Sequence, residues 1–546
     1  MFVRAKKRGD RTYIQIVENE RDGKKVVQRV IATLGRLDLL RKSGQLDSLL
    51  KSAARFSERL HILDILDKGK ITSTVTRKIG AVLLLRKLWN DLGIGRVIRE
   101  LSSERRFEFD VETVTFIAVL QRLFRPGSDR LGEKWIRNYD IAGSEDVELH
   151  HFYRTMAWLG GISFSAPDHW KHTPRRIKDD IEEALFALRR TLFSDLSIVF
   201  MDTTSIYFEG EGGVHLGKHG NSKDSRPDLK QIVVAIILDN QGNPLCSEII
   251  PGNITDVTTL VPVAERLKSR FGIENICIVA DRGMISEDTI NKLEEMKWEY
   301  ILGVRMRRCS EVRDDVLLRG GKFIDVYPER ICKKDRAPLQ VKEVRIGKRR
   351  YVVCHNDEQA RKDQYDRGAI VDALREQLRK GDKSLVGNKG YRRYIKSEGN
   401  RFEIDEDKIL SEEIFDGKWV LRTNTDLPVA DVALQYKQLW TVEDIFRTMK
   451  SILETRPVFH KCDENITGHV FCSFLALLVR KKLQDMVAAR EWVLEWAEIV
   501  RDVDAVSKVT VSHGGKKFMI RTETTGVAGK VFQAAGVALP PVLQEA

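Results

Sequence analysis

The order of apolar runs between residues 196 and 304 constrains this chain more than any other feature of its sequence. Three apolar runs come first, with no helical pattern between them, at residues 196–202, 231–238 and 244–250. Two amphipathic patterns then alternate with two further apolar runs, at residues 258–271, 275–280, 286–297 and 298–304. Short apolar runs between turn residues are typical of buried strands, whereas a period of 3.6 residues is typical of helices. The sequence therefore predicts the order β-β-β-α-β-α-β in a mixed α/β fold.

Two acidic residues stand at predicted strand ends within this order. Asp202 closes the first apolar run, and Asp281 follows the fourth. The order is the skeleton of the RNase H-like fold, and loops at the ends of a rigid sheet commonly present the residues that act on a substrate. We therefore expect an RNase H-like core with Asp202 and Asp281 in its functional site.

Composition restricts the class of protein. A chain of 546 residues is too long for one ordinary core, and 42% hydrophobic residues are enough for several domains. Its 92 Lys and Arg against 80 Asp and Glu give a net charge of +12, which suits a polyanionic partner but is shared by many basic proteins. The seven cysteines form no C-x-x-C pair, which argues against a disulfide framework and a zinc ribbon.

Neither a membrane anchor nor a secretory signal is predicted. The most apolar run, residues 469–479, is shorter than the ~20 residues of a spanning helix and predicts a buried helix instead. The basic amino terminus is not followed by the apolar segment of a signal peptide. We therefore expect a cytoplasmic protein that does not contact membranes.

The segments around the core predict further regions. Alternating residues on both sides of Asp22 and Gly23 predict an amino-terminal hairpin, and the helical period after residue 77 fits either a DNA-binding bundle or a plain packing domain. The predicted division is a hairpin and connector (1–76), a helical, DNA-binding region (77–190), the first part of the core (195–305), a β-containing insertion (306–427), a catalytic helix of the core (428–456) and a mainly helical carboxy-terminal region (457–546). Two further hairpins are predicted, one around Gly347 in the insertion and a late one at residues 509–521 around Gly514 and Gly515.

One predicted helix carries a regularly spaced set of polar side chains. Tyr436, Glu443 and Lys450 follow one another at steps of seven residues, so on one long helix from residue 428 to about 452 they share a face. The simpler explanation of Glu443 alone is an ion pair with Arg447, four residues on.

Together these residues resemble the DDE transposases of bacterial insertion sequences, whose signature is Y-x2-R-x3-E-x6-K. Tyr436, Glu443 and Lys450 match the signature, whereas Leu439 stands at its Arg position. The resemblance also covers residues 201–208 around the first acid, 225–231, 252–256, and 280–284 around the second acid.

The resemblance implies a metal site and DNA contacts. Asp202, Asp281 and Glu443 are expected to be catalytic and to hold two Mg²⁺ or Mn²⁺ ions, hard cations that prefer oxygen ligands. The residues expected to contact DNA are Tyr436, Lys450, Arg447, Lys230, Arg226 and Trp419. For Trp419 the alternative is a core tryptophan. His215 and His219 admit a zinc site, but a DNA-facing loop is the better interpretation of their glycine-rich segment.

The implied function is that of a nucleoid-associated DNA transposase. It would cleave the inverted-repeat ends of its own element and join the freed 3′-OH ends to target DNA, acting on double-stranded DNA as a homodimer. Two alternatives stay open. One is an RNase H-like nuclease that does not join strands, and the other is a catalytically inactive, transposase-derived DNA-binding protein.

Overall fold

A computed structural model describes most of the chain. The described residues are 1–22, 25–54, 73–165, 174–189, 198–273, 276–327, 339–380, 391–398, 401–513 and 516–545. The predicted turn residues Gly23, Gly514 and Gly515 lie outside these ranges, as do the first two residues of the run that begins at 196.

The chain forms two compact units. The first comprises residues 1–83, 138–140 and 494–546, and the second comprises residues 84–137 and 141–493. This division differs from the predicted one, because the two ends of the chain belong to the same unit. The predicted carboxy-terminal region, 457–546, is split between both units.

The strands of the described ranges are numbered in chain order. They are β1 (Phe2–Arg8), β2 (Arg11–Asp22), β3 (Lys25–Arg36), β4 (Ser73–Lys78), β5 (Ile198–Tyr207), β6 (Gln231–Leu238), β7 (Pro244–Pro251), β8 (Cys277–Ala280), β9 (Glu299–Gly303), β10 (Ile324–Val326), β11 (Leu339–Ile346), β12 (Arg349–His355), β13 (Ile395–Glu398), β14 (Arg401–Ile404), β15 (Lys418–Thr423), β16 (Ser507–His513), β17 (Lys516–Arg521) and β18 (Leu543–Glu545).

The α-helices of the same ranges are numbered in the same way. They are α1 (Leu37–Lys42), α2 (Gln45–Ala54), α3 (Gly80–Asp91), α4 (Ile94–Ser102), α5 (Val111–Phe124), α6 (Asp129–Trp135), α7 (Leu149–Leu159), α8 (Ile177–Arg189), α9 (Leu260–Phe271), α10 (Glu287–Glu295), α11 (Asp357–Lys380), α12 (Glu406–Glu413), α13 (Val429–Lys437), α14 (Trp440–Arg447), α15 (Asp463–Ala488), α16 (Trp496–Asp504) and α17 (Ala528–Ala535).

The first unit contains two antiparallel sheets. The predicted hairpin is β2 and β3, and β1 adds a third strand in the order β1-β2-β3. Strand β1 was not predicted, because its charge-rich sequence FVRAKKR lacks the apolar alternation of a half-buried strand. The second sheet has the order β18-β17-β16-β4, so a strand of the amino-terminal region pairs with the predicted late hairpin. The predicted boundary at residue 76 cuts β4, because pairing across more than 400 residues leaves no local signal.

A helical group in the second unit is built around α15. Its run 469–479 is almost entirely buried, as predicted, and α5 and α7 pack against the helix. All residues of α5 are buried, so this helix of the predicted DNA-binding region serves packing and has no surface free to enter a groove. Within the described ranges no helix is both long and apolar enough to cross a membrane.

A nine-stranded mixed sheet forms the centre of the second unit. Its order is β10-β11-β12-β15-β9-β8-β5-β6-β7. The five strands from β9 to β7 are the predicted core: β5 pairs antiparallel with β6 and parallel with β8. The predicted element order is confirmed, and this arrangement fits an RNase H-like core.

The region predicted as an insertion does not form a separate body. Its strand β15 pairs antiparallel with β9 of the core, and β12, β11 and β10 continue the same sheet outward. The sequence showed the hairpin of β11 and β12 but not its attachment, because edge pairing with β9 depends on backbone groups that every residue carries.

A buried, neutral group of six charged residues joins α8, β7 and α9. It contains three cations and three anions whose side chains are at most 6% exposed: Lys178, Arg266, Arg270, Asp179, Glu182 and Glu248. Arg270 lies at the centre, with a guanidinium nitrogen 2.7 Å from Glu182 Oε2 and another 3.0 Å from Glu248 Oε1. Burial raises the pKa of Asp179, but the neighbouring cations Arg270, Lys178 and Arg266 outweigh burial and lower it below its usual value. Equal numbers of opposite charges make this burial tolerable.

Asp179→Asn should destabilise the protein by about 3–5 kcal/mol, because it leaves buried cations without their full countercharge. The free energy of unfolding is measured by denaturant titration. Glu100→Gln, which breaks an exposed pair with Arg96, is the control and should change stability by less than about 1 kcal/mol. Equal losses in the two variants would contradict the prediction.

Candidate active site

Strand register brings the first two predicted acids together. The parallel pairing of β5 with β8 ends at Met201 and Ala280, so Asp202 and Asp281 are the next residues on neighbouring strands. Asp281 follows the end of β8, as predicted. Asp202 does not stand at a strand end: β5 continues to Tyr207, because its other edge stays paired with β6. The end of the shorter strand therefore defines the site.

The third acid lies on a helical segment that is not one long helix. Helix α13 ends at Lys437, α14 begins at Trp440, and a π-helical turn follows at Thr448–Ile452. The prediction of one straight helix is therefore wrong. Tyr436 and Glu443 nevertheless face the same cavity, whereas Lys450, within the π-helical turn, does not line it.

A cavity of about 220 Å³ unites the predicted residues of the core. Its lining is Asp202, Asp281, Trp419, Tyr436, Lys437, Leu439, Trp440 and Glu443. Trp419 is partly exposed at the start of β15 and therefore forms a wall rather than part of the core. Trp440 is 43% exposed. Leu439, at the signature's Arg position, is buried beside them. The arrangement combines carboxylates with flat aromatic surfaces.

Negative charge and burial perturb Asp202. The pKa of Asp202 is raised to about 6, mainly by burial and also by the nearby Asp281 and Asp256, against the lowering effect of Lys223 and of the Thr203 N–H. That N–H donates to Asp202 Oδ1 over 2.7 Å. A cation bound at this carboxylate would remove part of the cost of ionising Asp202.

The other two acids have different surroundings. The Tyr436 hydroxyl donates to Asp281 Oδ1 over 3.0 Å and orients that carboxylate. Burial, together with Asp281, raises the pKa of Tyr436, so its hydroxyl stays protonated. Glu443 is exposed, and within the described ranges its carboxylate has no hydrogen-bond or ion-pair partner. Arg447 contacts Asp444 at 2.7 Å instead, which contradicts the simple i, i+4 pair.

The donor set suits a hard cation, since Asp202, Asp281 and Glu443 offer only oxygen ligands. Among the residues that the structure describes, however, no three His, Cys, Asp or Glu side chains are already gathered closely enough to hold a metal ion. The three acids therefore suit a metal ion through their oxygen atoms and through the cavity that they share.

Two polar residues, Lys223 and Asp256, lie beside Asp202, although neither was predicted to lie among the three acids. Lys223 Nζ lies 3.1 Å from Asp256 Oδ2 and 3.9 Å from Asp202 Oδ1. The Thr203 hydroxyl donates to Asp256 Oδ1 over 2.8 Å. Asp256 lies in residues 252–256, which carried part of the family resemblance, but nothing in its spacing assigned it to this site.

The predicted DNA-contacting cations lie outside the cavity. Lys450 Nζ is 2.7 Å from Asp224 Oδ1, and Arg456 pairs with the same oxygen. Burial lowers the pKa of Lys450, and Asp224 opposes this shift. Arg226 pairs with Asp228 at 2.9 Å, and Lys230 pairs with Glu211 at 3.0 Å.

Asp202→Asn should stabilise the metal-free protein at pH 7.5 and lose this advantage near pH 4. Because the folded-state pKa of Asp202 is about 6, above the ordinary 3.8, Asp202 costs stability as pH rises from about 4 through 6. Melting temperatures of both proteins, measured with a chelator across this range, test the expectation. The same difference at every pH would exclude the ionisation of Asp202 as the cause; Asp228→Asn is the exposed control.

Comparisons with known proteins come from sequence and from structure. The profile of the transposase DDE domain matches residues 193–479, and that of the IS1634 family transposase N-terminal domain matches residues 2–65. No curated protein matches the chain. The crystal structure of a pre-cleavage Mos1 transpososome is similar to this chain at 11% identity and a TM-score of 0.13, with 36% of this chain and 60% of that one covered. At so low a score, this similarity supports no conclusion about fold or function. Because the first profile spans more than half of the sequence, this chain belongs to the DDE transposases of insertion sequences.

Proposed function

We propose that this protein cleaves the inverted-repeat ends of its own insertion sequence and joins their 3′-OH ends to target DNA. The observation that carries the proposal is the shared cavity of Asp202, Asp281 and Glu443, brought by β5, β8 and α14 in a chain of this family. Its partners would be double-stranded DNA and a second copy of the chain in the DNA complex.

Divalent metal ions are general in DDE transposases, and Asp202, Asp281 and Glu443 are the residues proposed to hold Mg²⁺ or Mn²⁺ in this chain. When bound, two such ions would supply an activated oxygen nucleophile and stabilise the charge on the reacting phosphate. The exposed Glu443 carboxylate is free of protein partners in the described ranges, which leaves it available as a ligand.

The residues around the acids have separate proposed tasks. Tyr436 holds Asp281 in place through its 3.0 Å hydrogen bond. Lys223 and Asp256 support the strand that carries Asp202, since Lys223 Nζ also donates to the Thr203 carbonyl oxygen over 2.6 Å. Trp419 offers a flat ring on which a base can stack.

Four cations are proposed to contact phosphates. Lys450 is the most constrained, since its side chain is 12% exposed and fixed by Asp224. Arg447, Arg226 and Lys230 each pair with one acid, which phosphate oxygens could replace on binding.

No observation favours the two alternatives. A nuclease that does not join strands would yield cleaved ends without joined products. A catalytically inactive DNA-binding protein would not need three carboxylates at one cavity. Incubating the purified protein with labelled element ends, target DNA and Mg²⁺, and then mapping the products, separates all three possibilities.

Asp202→Ala, Asp281→Ala and Glu443→Ala should each reduce strand cleavage at least about a hundredfold and leave binding to element ends nearly unchanged. Each substitution removes one proposed metal ligand but no phosphate contact. Asp372→Ala is the control, because it removes an exposed acid whose partner Arg375 is not a proposed DNA contact. Near-normal cleavage by any of the three variants would exclude that residue from the site.

Lys450→Met and Asp224→Asn should each weaken end binding and slow cleavage by about tenfold, in line with the loss of a charged hydrogen bond. Because Asp224 holds Lys450, the double variant should be little worse than Lys450→Met alone. Binding constants and cleavage rates of the four proteins complete the cycle, with Glu100→Gln, whose exposed partner Arg96 is not a proposed DNA contact, as the control. Strictly additive losses would mean that the two residues act independently.

A further inference from the structure

The amino-terminal sheet carries an unusual share of the positive charge. Residues 1–36 contain ten Lys and Arg against four Asp and Glu, a formal net charge of +6. This is half of the net charge of the 546-residue chain, which is +12. The excess lies mainly on β1 and at the start of β2, where the sequence predicted no functional residue.

Strand register places four of the five cations of β1 and the start of β2 on one face. Arg4, Lys6 and Arg8 alternate along β1 and therefore share a face of the sheet. Their partners across the pairing are Gln15, Tyr13 and Arg11, which point to the same side. We call the surface of these six residues the basic face. All of them are at least partly exposed.

The opposite face serves packing. Ile14 is buried on that side. Gly35 pairs with Ile14, and a Cβ on Gly35 would lie 3.5 Å from Leu40 of α1, so the helix covers this part of the sheet. Between Arg4 and Arg8 one face therefore meets its own helix and the other presents cations, whereas Val17, beyond Gln15 on the cation side, is buried.

The cations of the basic face have no acidic partner in the described part of the chain. The side chains of Lys6, Arg8 and Arg11 form no hydrogen bond or ion pair there. Arg4 donates only to neutral groups, reaching Gln28 Oε1 at 2.7 Å and Gln15 Oε1 at 3.2 Å. Unpaired cations attract a polyanion more strongly than cations already neutralised by an adjacent carboxylate.

We propose that the basic face binds the backbone of double-stranded DNA. Alternate residues on β1 are about 6.6 Å apart, so Arg4, Lys6 and Arg8 form a row about 13 Å long that can follow several phosphates. The inference rests on the proposed function and adds a DNA-contacting surface to it.

A simpler role for the same cations must be separated from this one. β1 is an edge strand, and charged side chains on an edge prevent pairing with other chains. That role requires charge on β1 but predicts no effect on DNA affinity.

The test uses the full-length protein and a 30-base-pair duplex. The triple variant Arg4→Gln/Lys6→Gln/Arg8→Gln is compared with the control Arg96→Gln/Arg313→Gln/Arg375→Gln, which removes three cations from exposed pairs with neighbouring acids. Dissociation constants are measured at several salt concentrations. The basic-face variant should reduce the slope of log K against log salt by up to about 2.7, because each lost phosphate contact contributes ~0.9. The control should keep the wild-type slope.

Each outcome decides a separate point. Equal slope changes in both variants would show that only net charge matters and would overturn the proposal, as would an unchanged slope in the basic-face variant. Circular dichroism and gel filtration show whether the triple variant stays folded and monodisperse. If it does not fold, the single variant Lys6→Glu replaces it in the test, and this variant should also weaken DNA binding. If the basic-face variant loses its binding to anionic vesicles but keeps its DNA binding, the face binds lipid and the proposal is overturned. A wild-type protein that binds no DNA at any salt concentration would refute the proposed function itself.

Discussion

The site depends on where one parallel strand pair ends. β8 is only four residues long, and its pairing with β5 stops at Met201 and Ala280. The next residues are Asp202 and Asp281, so two carboxylates lie side by side at the point where backbone pairing no longer continues. The pairing with β6 keeps Asp202 in a rigid strand while Asp281 enters a turn. Hydrogen bonding of the main chain thus brings together two like charges that would otherwise stay apart.

The layer behind this sheet is fixed by charge as well as by apolar packing. Helix α9 buries Val263, Leu267 and Phe271 against the sheet. Its Arg266 and Arg270 also contact α8 and β7 through the neutral buried group. Apolar contacts alone would let α9 shift along the sheet, whereas charges that are buried away from water must each keep a particular partner. The combination holds the helix layer in one position behind the two aspartates.

Local patterns in the sequence were enough to predict the core but not its surroundings. Apolar runs and helical periods predicted the element order, and in the structure two residues of the family signature, Tyr436 and Glu443, line the same cavity as Asp202 and Asp281. The remaining features arise from contacts between distant residues. The attachment of β15 to β9 is one example, and the pairing of Lys450 with Asp224 is another. A long-range partner has no fixed spacing, so a single sequence does not reveal it. The break between α13 and α14 was missed because both halves keep a helical period.

The continuous sheet also fixes the distance between Trp419 and the two aspartates. Trp419 is two residues before Leu421, which pairs with Gly303 of β9, the neighbour of β8. The backbone of Trp419 therefore lies about two strand spacings, or ~9.6 Å, across the sheet from β8. A tryptophan on a loop would vary in its distance from Asp202 and Asp281, whereas the sheet holds the backbone of Trp419 at a constant distance from them. Because side chains alternate along a strand, an insertion of one residue between Trp419 and Leu421 would turn the indole to the opposite side of the sheet relative to the pairing with β9. Length changes in the connecting segments before β15 would leave the interval intact.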